Sequence, residues 1–222
     1  MYTALVSSDE RYTLTRRDQE IIEALTLRVR LFSLRQLART WWAGSAAGEP
    51  QARARMKLLE RAGLVTGCTL MARPELELAA PVIAWEPGAA EPDFGAASWQ
   101  LCSRFTAPLR HTPCIIATPQ AGVRYGGRGG RFPKAAEQTH DLHVATLFLR
   151  YRERHPELVP NWLSEELIKR SRPQIRGEKL PDALIRTESF TRVVEFGGEY
   201  ARGKLEAFHG YCRTRSLPYE VW

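Results

Sequence analysis

Pro50-Gln51-Ala52-Arg53-Ala54-Arg55-Met56-Lys57-Leu58-Leu59-Glu60-Arg61-Ala62-Gly63-Leu64-Val65 is the stretch that decides how the first third of this chain folds. Ala52, Met56, Leu59 and Ala62 recur at the spacing of one helix face, so they should pack inward. Proline is tolerated at a first helical position, and Gly63 suits a left-handed C-cap, which predicts a helix from about Pro50 to Ala62. Gln51, Arg53 and Lys57 then lie toward the outer face, with Arg55 on its flank and Arg61 one turn later. Arginine can grip guanine and glutamine can grip adenine through paired hydrogen bonds, while the remaining cations hold phosphates. This face therefore predicts a reader of the DNA major groove. A solvated face on a protein-binding module is the competing reading, and DNA is favoured over it.

Working upstream, Thr15 followed by Asp18 predicts a capped first helix carrying Ile21, Ile22, Leu25 and Leu27 to Val29. Ser33 caps a second helix starting Leu34-Arg35-Gln36-Leu37, and the turn-rich Gly44 to Pro50 leads into the third. Downstream, Leu64 to Met71 reads as a hairpin turning near Gly67. Three short helices and a hairpin are the order of a winged helix-turn-helix, and Leu58 to Val65 resembles the junction between recognition helix and wing in many winged-helix regulators. This domain is expected over residues 1–73.

The totals agree with a folded, nucleic-acid-binding chain. Of the 222 residues, 44% are hydrophobic and 26% charged, and the net charge is +7. Arginine outweighs lysine, which suits phosphate and base edges, although a GC-rich genome gives the same bias. No apolar run is long enough to span a bilayer, and the opening MYTALVSSDERYTLTRRD lacks an apolar signal segment. A cytoplasmic protein without membrane contact is expected. Cys68, Cys102, Cys114 and Cys212 show no metal-site spacing, so free thiols are expected rather than zinc. His140 and His143 read as packed or capping residues, and Trp41, Trp42, Trp162 and Trp222 as core or interface anchors.

Residues 74–137 read as a linker and extension, with strands near Val82 to Trp85 and Cys114 to Thr118. The run Arg124-Tyr125-Gly126-Gly127-Arg128-Gly129-Gly130-Arg131 lacks the ending of a phosphate-binding P-loop. Arg124, Arg128 and Arg131 suit a DNA backbone, and the composition suits an inert surface loop equally well.

In residues 138–222, a helix at His140 to Arg152 precedes strands at Asn161 to Lys169, Leu180 to Ile185 and Thr191 to Phe196. A helix from Tyr200 to Arg213 and a strand from Leu217 to Trp222 complete the order. The helix opening with His140, the run Arg154-His155-Pro156-Glu157-Leu158-Val159-Pro160-Asn161-Trp162 with Glu165, and Pro181-Asp182-Ala183-Leu184-Ile185 carry a resemblance. With Val193-Val194-Glu195-Phe196 and Lys204 to Tyr211, they resemble the plasmid replication–relaxation family. That resemblance implies an α+β chain: an N-terminal winged helix followed by a restriction-endonuclease-like α/β domain with a mixed sheet. It also implies a role in transcription, replication or transfer of a mobile element.

A metal-dependent nuclease needs converging carboxylates on Mg²⁺ and a lysine to orient water. Asp182 and Glu195 are the candidate carboxylates, with Glu165, or else Glu153 or Glu166, as a third ligand, and Lys204 as the cation. The lysine belonging two residues after Glu195 is replaced by Gly197, which favours a degenerate centre. DNA binding then needs no cofactor, and Mg²⁺ enters only if the centre is active. Expected partners are double-stranded DNA, a second copy of the chain and a replication or conjugation protein.

Overall fold

The computed structural model describes residues 4–7, 10–43, 45–171 and 180–222, so Gly44, the first residue of the turn expected before the third helix, lies outside them. The fold is α+β with a mixed sheet. The chain divides into two compact units, Met1–Ala72 with Arg110–Ala145, and Arg73–Leu109 with Thr146–Trp222. The segment expected to be a linker is thus shared between them, and neither part stands as a separate extension.

In the first unit, β1 (Ala4–Ser7) and β2 (Glu10–Thr13) form an antiparallel hairpin. Thr15 and Asp18 then exchange cap hydrogen bonds at the start of α1 (Arg16–Glu23), satisfying donors that the first turn leaves open. The helix runs on into one π-helical stretch, Ala24–Arg28. After β3 (Leu31–Ser33), the same reciprocal cap forms between Ser33 and Gln36 at the start of α2 (Leu34–Trp41). The third helix, α3 (Gly48–Arg61), starts two residues before Pro50 and is followed by Gly63, whose φ of +70° is the left-handed value expected just past the C-cap. Ala52, Met56 and Leu59 are buried, as their spacing predicts, while Ala62 is half-buried.

The expected hairpin at Leu64 to Met71 is instead one strand, β4 (Val65–Ala72). The chain next contributes β5 (Ile83–Trp85) and α4 (Phe94–Ser103) to the second unit, and only then returns as β6 (Arg110–Ala117) to pair with β4. Gly67 sits within the strand opposite Ile115, and its N–H donates to the Glu60 carboxylate at 2.8 Å. A lone glycine without a turn partner does not fold a two-residue hairpin loop, and the true partner strand is remote in sequence. The sheet order is β3-β6-β4, all antiparallel. Then follow α5 (Pro119–Arg124), capped by Thr118, and α6 (Gln138–Arg154), within which the division between units falls.

In the second unit, β7 (Trp162–Ser164) is only three residues long, and Glu165–Ser171 forms α7 where the sequence suggested a longer strand. Next come β8 (Ala183–Arg186), β9 (Thr191–Glu195), α8 (Arg202–Thr214) and β10 (Tyr219–Val221). The sheet order is β5-β10-β9-β8-β7, antiparallel except for the parallel β9–β10 pair. Phe94, Ala97 and Leu101 of α4 and Leu205, Phe208 and Cys212 of α8 form one core with Val193, Tyr219 and Val221. On α6, Phe148 and Tyr151 pack edge-on against Trp162. The expected linker thus supplies an edge strand and a core helix. The helix was hidden because Phe94 to Ser103 is mostly small residues without a strong polar face.

Candidate functional site

The first unit holds sixteen Lys and Arg against nine Asp and Glu, a surplus of +7, while the second holds sixteen of each and is neutral. The whole net charge of the chain therefore belongs to the unit that carries α3.

On α3, Gln51, Arg53, Lys57 and Arg61 are all exposed. Arg53 meets Glu49 one turn back at 3.3 Å, with both side chains about half exposed (48% and 52%). Such pairs are weak in water, so Glu49 does not hold Arg53 against a stronger anion. Arg55, expected on the flank of this face, turns inward. It holds the fully buried Asp18 through two hydrogen bonds, Nε to Oδ1 at 2.9 Å and Nη2 to Oδ2 at 2.5 Å, and also donates to the Thr13 carbonyl. Burial alone would raise the Asp18 carboxyl, but the hydrogen bonds from Arg55 and Thr15 outweigh it and hold the group below its ordinary value. Arg55 ties α3 to α1 and is not a surface contact. Sequence reading missed the pairing because Asp18 already had an explanation as a helix cap.

Arg124 closes α5 and Arg128 follows in the glycine loop, both exposed, whereas Arg131 is half-buried. Their segment is devoid of acid: no Asp or Glu occurs between Asp93 and Glu137.

The second unit brings Asp182 and Glu195 together, and they lock one another. The Asp182 amide donates to Glu195 Oε2 at 3.1 Å, and the Phe196 amide donates to Asp182 Oδ2 at 2.8 Å. Glu195 is fully buried and accepts from the Tyr200 hydroxyl on its other oxygen at 2.5 Å. Burial and the Glu195 charge push the Tyr200 hydroxyl far up, and they raise the Cys212 thiol to about 12. Lys204 Nζ lies 3.5 Å over the ring of Tyr200, the residue whose hydroxyl is bonded to Glu195. Glu165 turns to Lys169 at 2.7 Å. At Gly197, where a nuclease pattern wants lysine, an added Cβ would stand 2.9 Å from Leu101 and Val221. A hydrated Mg²⁺ needs open oxygen ligands and room for water. These residues do not fit it, and among the described residues no group of three His, Cys, Asp or Glu is arranged to hold a metal.

No family model, no curated protein sequence and no solved structure matches this chain.

His143 is buried with Nδ1 2.7 Å from the Thr139 carbonyl, and His140 lies 3.5 Å from Asp141. Trp41, Trp42, Trp162 and Trp222 are all buried. The four cysteines are free thiols. No helix among the described residues is long and apolar enough to cross a membrane.

Proposed function

We propose that this chain binds double-stranded DNA through its first unit and does not cut it. The observation that carries the reading is that the entire +7 resides in that unit, with Arg53, Lys57 and Arg61 on the open face of α3. The element order α1, β3, α2, α3, β4, β6 and the strand order β3-β6-β4 support a winged helix, with α3 as the recognition helix. The second unit runs β5, α4, the end of α6, β7, α7, β8, β9, α8, β10, with β9 and β10 parallel. This order supports a restriction-endonuclease-like core serving as a scaffold. Following the resemblance drawn from the sequence, the process served is transcription, replication or transfer of a mobile element in the cytoplasm. A dimer would match a palindromic site.

Changing Arg53 and Lys57 together to alanine is expected to weaken duplex binding about 100-fold at roughly 0.15 M salt, since each base or phosphate contact contributes about 1–3 kcal/mol. Fluorescence anisotropy with a labelled duplex pool reads the effect, and unchanged affinity sinks the assignment of α3. The closed carboxylate pair leads to a second expectation: supercoiled plasmid with Mg²⁺ or Mn²⁺ is nicked no faster by the wild-type chain than by the Asp182→Asn/Glu195→Gln variant. Metal-dependent nicking lost in that variant would reverse the reading in favour of an endonuclease.

A further inference from the structure

The glycine-rich run after α5 has the composition of a flexible tail, but its glycines are placed by contact. A Cβ on Gly127 would lie 2.2 Å from the Thr26 carbonyl oxygen, and one on Gly129 would lie 1.9 Å from that of Thr118. Both distances are far inside any real contact, so these two positions admit only glycine while the loop keeps its course. Backbone hydrogen bonds fix that course: the Arg128 amide donates to the Thr26 carbonyl at 3.0 Å, Gly127 to Gly122 at 2.8 Å and Gly130 to Ala117 at 2.7 Å. The loop is thereby pinned to the π-helical stretch behind α1 and to the end of β6.

Its origin lies beside α3. The Thr118 hydroxyl, which caps α5, also donates to the Gly63 carbonyl at the C-terminus of α3 at 2.6 Å. At the other end of α5, burial raises the Tyr125 hydroxyl, with the Asp18 and Glu23 charges adding to it and Arg124 opposing them. From this fixed base the side chains of Arg124 and Arg128 are exposed, followed by Lys134, in a segment whose own sequence holds no acid.

We infer that residues 122–134 form a rigid phosphate clamp, whose Arg124 and Arg128 grip the backbone of the duplex that α3 reads. This rests on the DNA-binding reading above. A backbone held in advance lowers the ordering cost of binding. Arginine pairs with phosphate in a fixed fork, and phosphate contacts position a duplex without reading its sequence.

The test compares three full-length proteins, wild type, Arg124→Ala/Arg128→Ala and Arg53→Ala/Lys57→Ala, on one duplex pool across a salt series. Each phosphate contact contributes about 0.9 to the slope of log affinity against log salt, so the loop variant should lose about 1.8 from that slope. It should also bind roughly tenfold more weakly at about 0.15 M salt on every sequence alike. A Gly129→Ala variant, with its charge intact, should show the same loss if circular dichroism reports a retained fold. An unchanged slope in the loop variant while the α3 variant loses binding overturns the clamp and leaves the DNA reading standing. Wild-type protein that ignores duplex overturns both. A loop variant that loses only single-stranded RNA binding overturns the clamp in favour of an RNA contact.

Discussion

Replacing Gly197 by lysine is expected to unfold the second unit and not to confer metal-dependent nicking. The site where such a lysine would sit is already occupied: an added Cβ meets both methyls of Leu101 and one of Val221 at 2.9 Å, and both residues are fully buried. Forcing extra atoms into a packed core costs about 1–3 kcal/mol, and stranding an ammonium group among apolar side chains costs several more. The sum, about 5 kcal/mol or more, is comparable with the whole stability of an ordinary domain. Urea unfolding followed by circular dichroism should show a large loss of stability or no cooperative transition. Gly203→Lys is the matched control: it adds the same charge at an exposed position on α8 where nothing lies within 4 Å of the new Cβ. That variant should be neutral or slightly stabilised, because glycine is a poor helix former. If Gly197→Lys instead stays folded and nicks plasmid with Mg²⁺, then α4 does not fill the lysine position and the scaffold reading of this unit fails.

The sequence was most legible where one short segment contains its own reasons. Thr15 with Asp18, Ser33, and Gly63 announce three helix ends through chemistry that acts within three or four residues, and each forms as read. The inward face of α3 followed from spacing for the same reason. What stayed hidden depends on residues far apart in the chain. The strand opposite β4 arrives only after β5 and α4 have been inserted, so the local sequence offered Gly67 as a turn when it is a ladder residue. Among the proposed site residues, Arg53, Lys57 and Arg61 are exposed as their wheel positions required. Arg55 departs because a buried acid on α1 outbids the solvent for it. In the second unit the pairing of Asp182 with Glu195 was legible from two adjacent strand patterns. The Tyr200 bond to Glu195 was not, nor was the packing of Leu101 beside Gly197, since α4 itself gave no periodic signal.

The Asp18–Arg55 pair should prove the costliest polar contact to break in the first unit, and its two halves should not cost the same. Asp18 is fully buried, whereas the Arg55 side chain is 25% exposed. Arg55→Ala leaves a carboxylate enclosed with only the Thr15 cap to satisfy it, and an uncompensated buried charge costs about 3–5 kcal/mol. Asp18→Asn leaves Arg55 able to turn toward water and keeps a side chain able to cap α1, so its cost should be smaller. Acid separates the charge from the packing. In the wild-type chain the Asp18 carboxyl is held below its unfolded value near ~3.9, so its contribution is complete above about pH 4 and fades as pH falls through the lower folded value. Without Arg55 only the Thr15 hydrogen bonds oppose the burial that raises the group. The folded state of Arg55→Ala then takes up a proton before the unfolded chain does, and acid relieves it. The stability gap between the two proteins should therefore be widest near neutral pH and close as pH falls toward about 4. A gap that stays constant over that range would mean Arg55 acts through packing alone. Because Arg55 ties α3 to α1, its loss should also weaken duplex binding although the residue does not face outward. Asp18→Asn should weaken binding in the same direction, which a charge-only role for Arg55 on the DNA face would not produce.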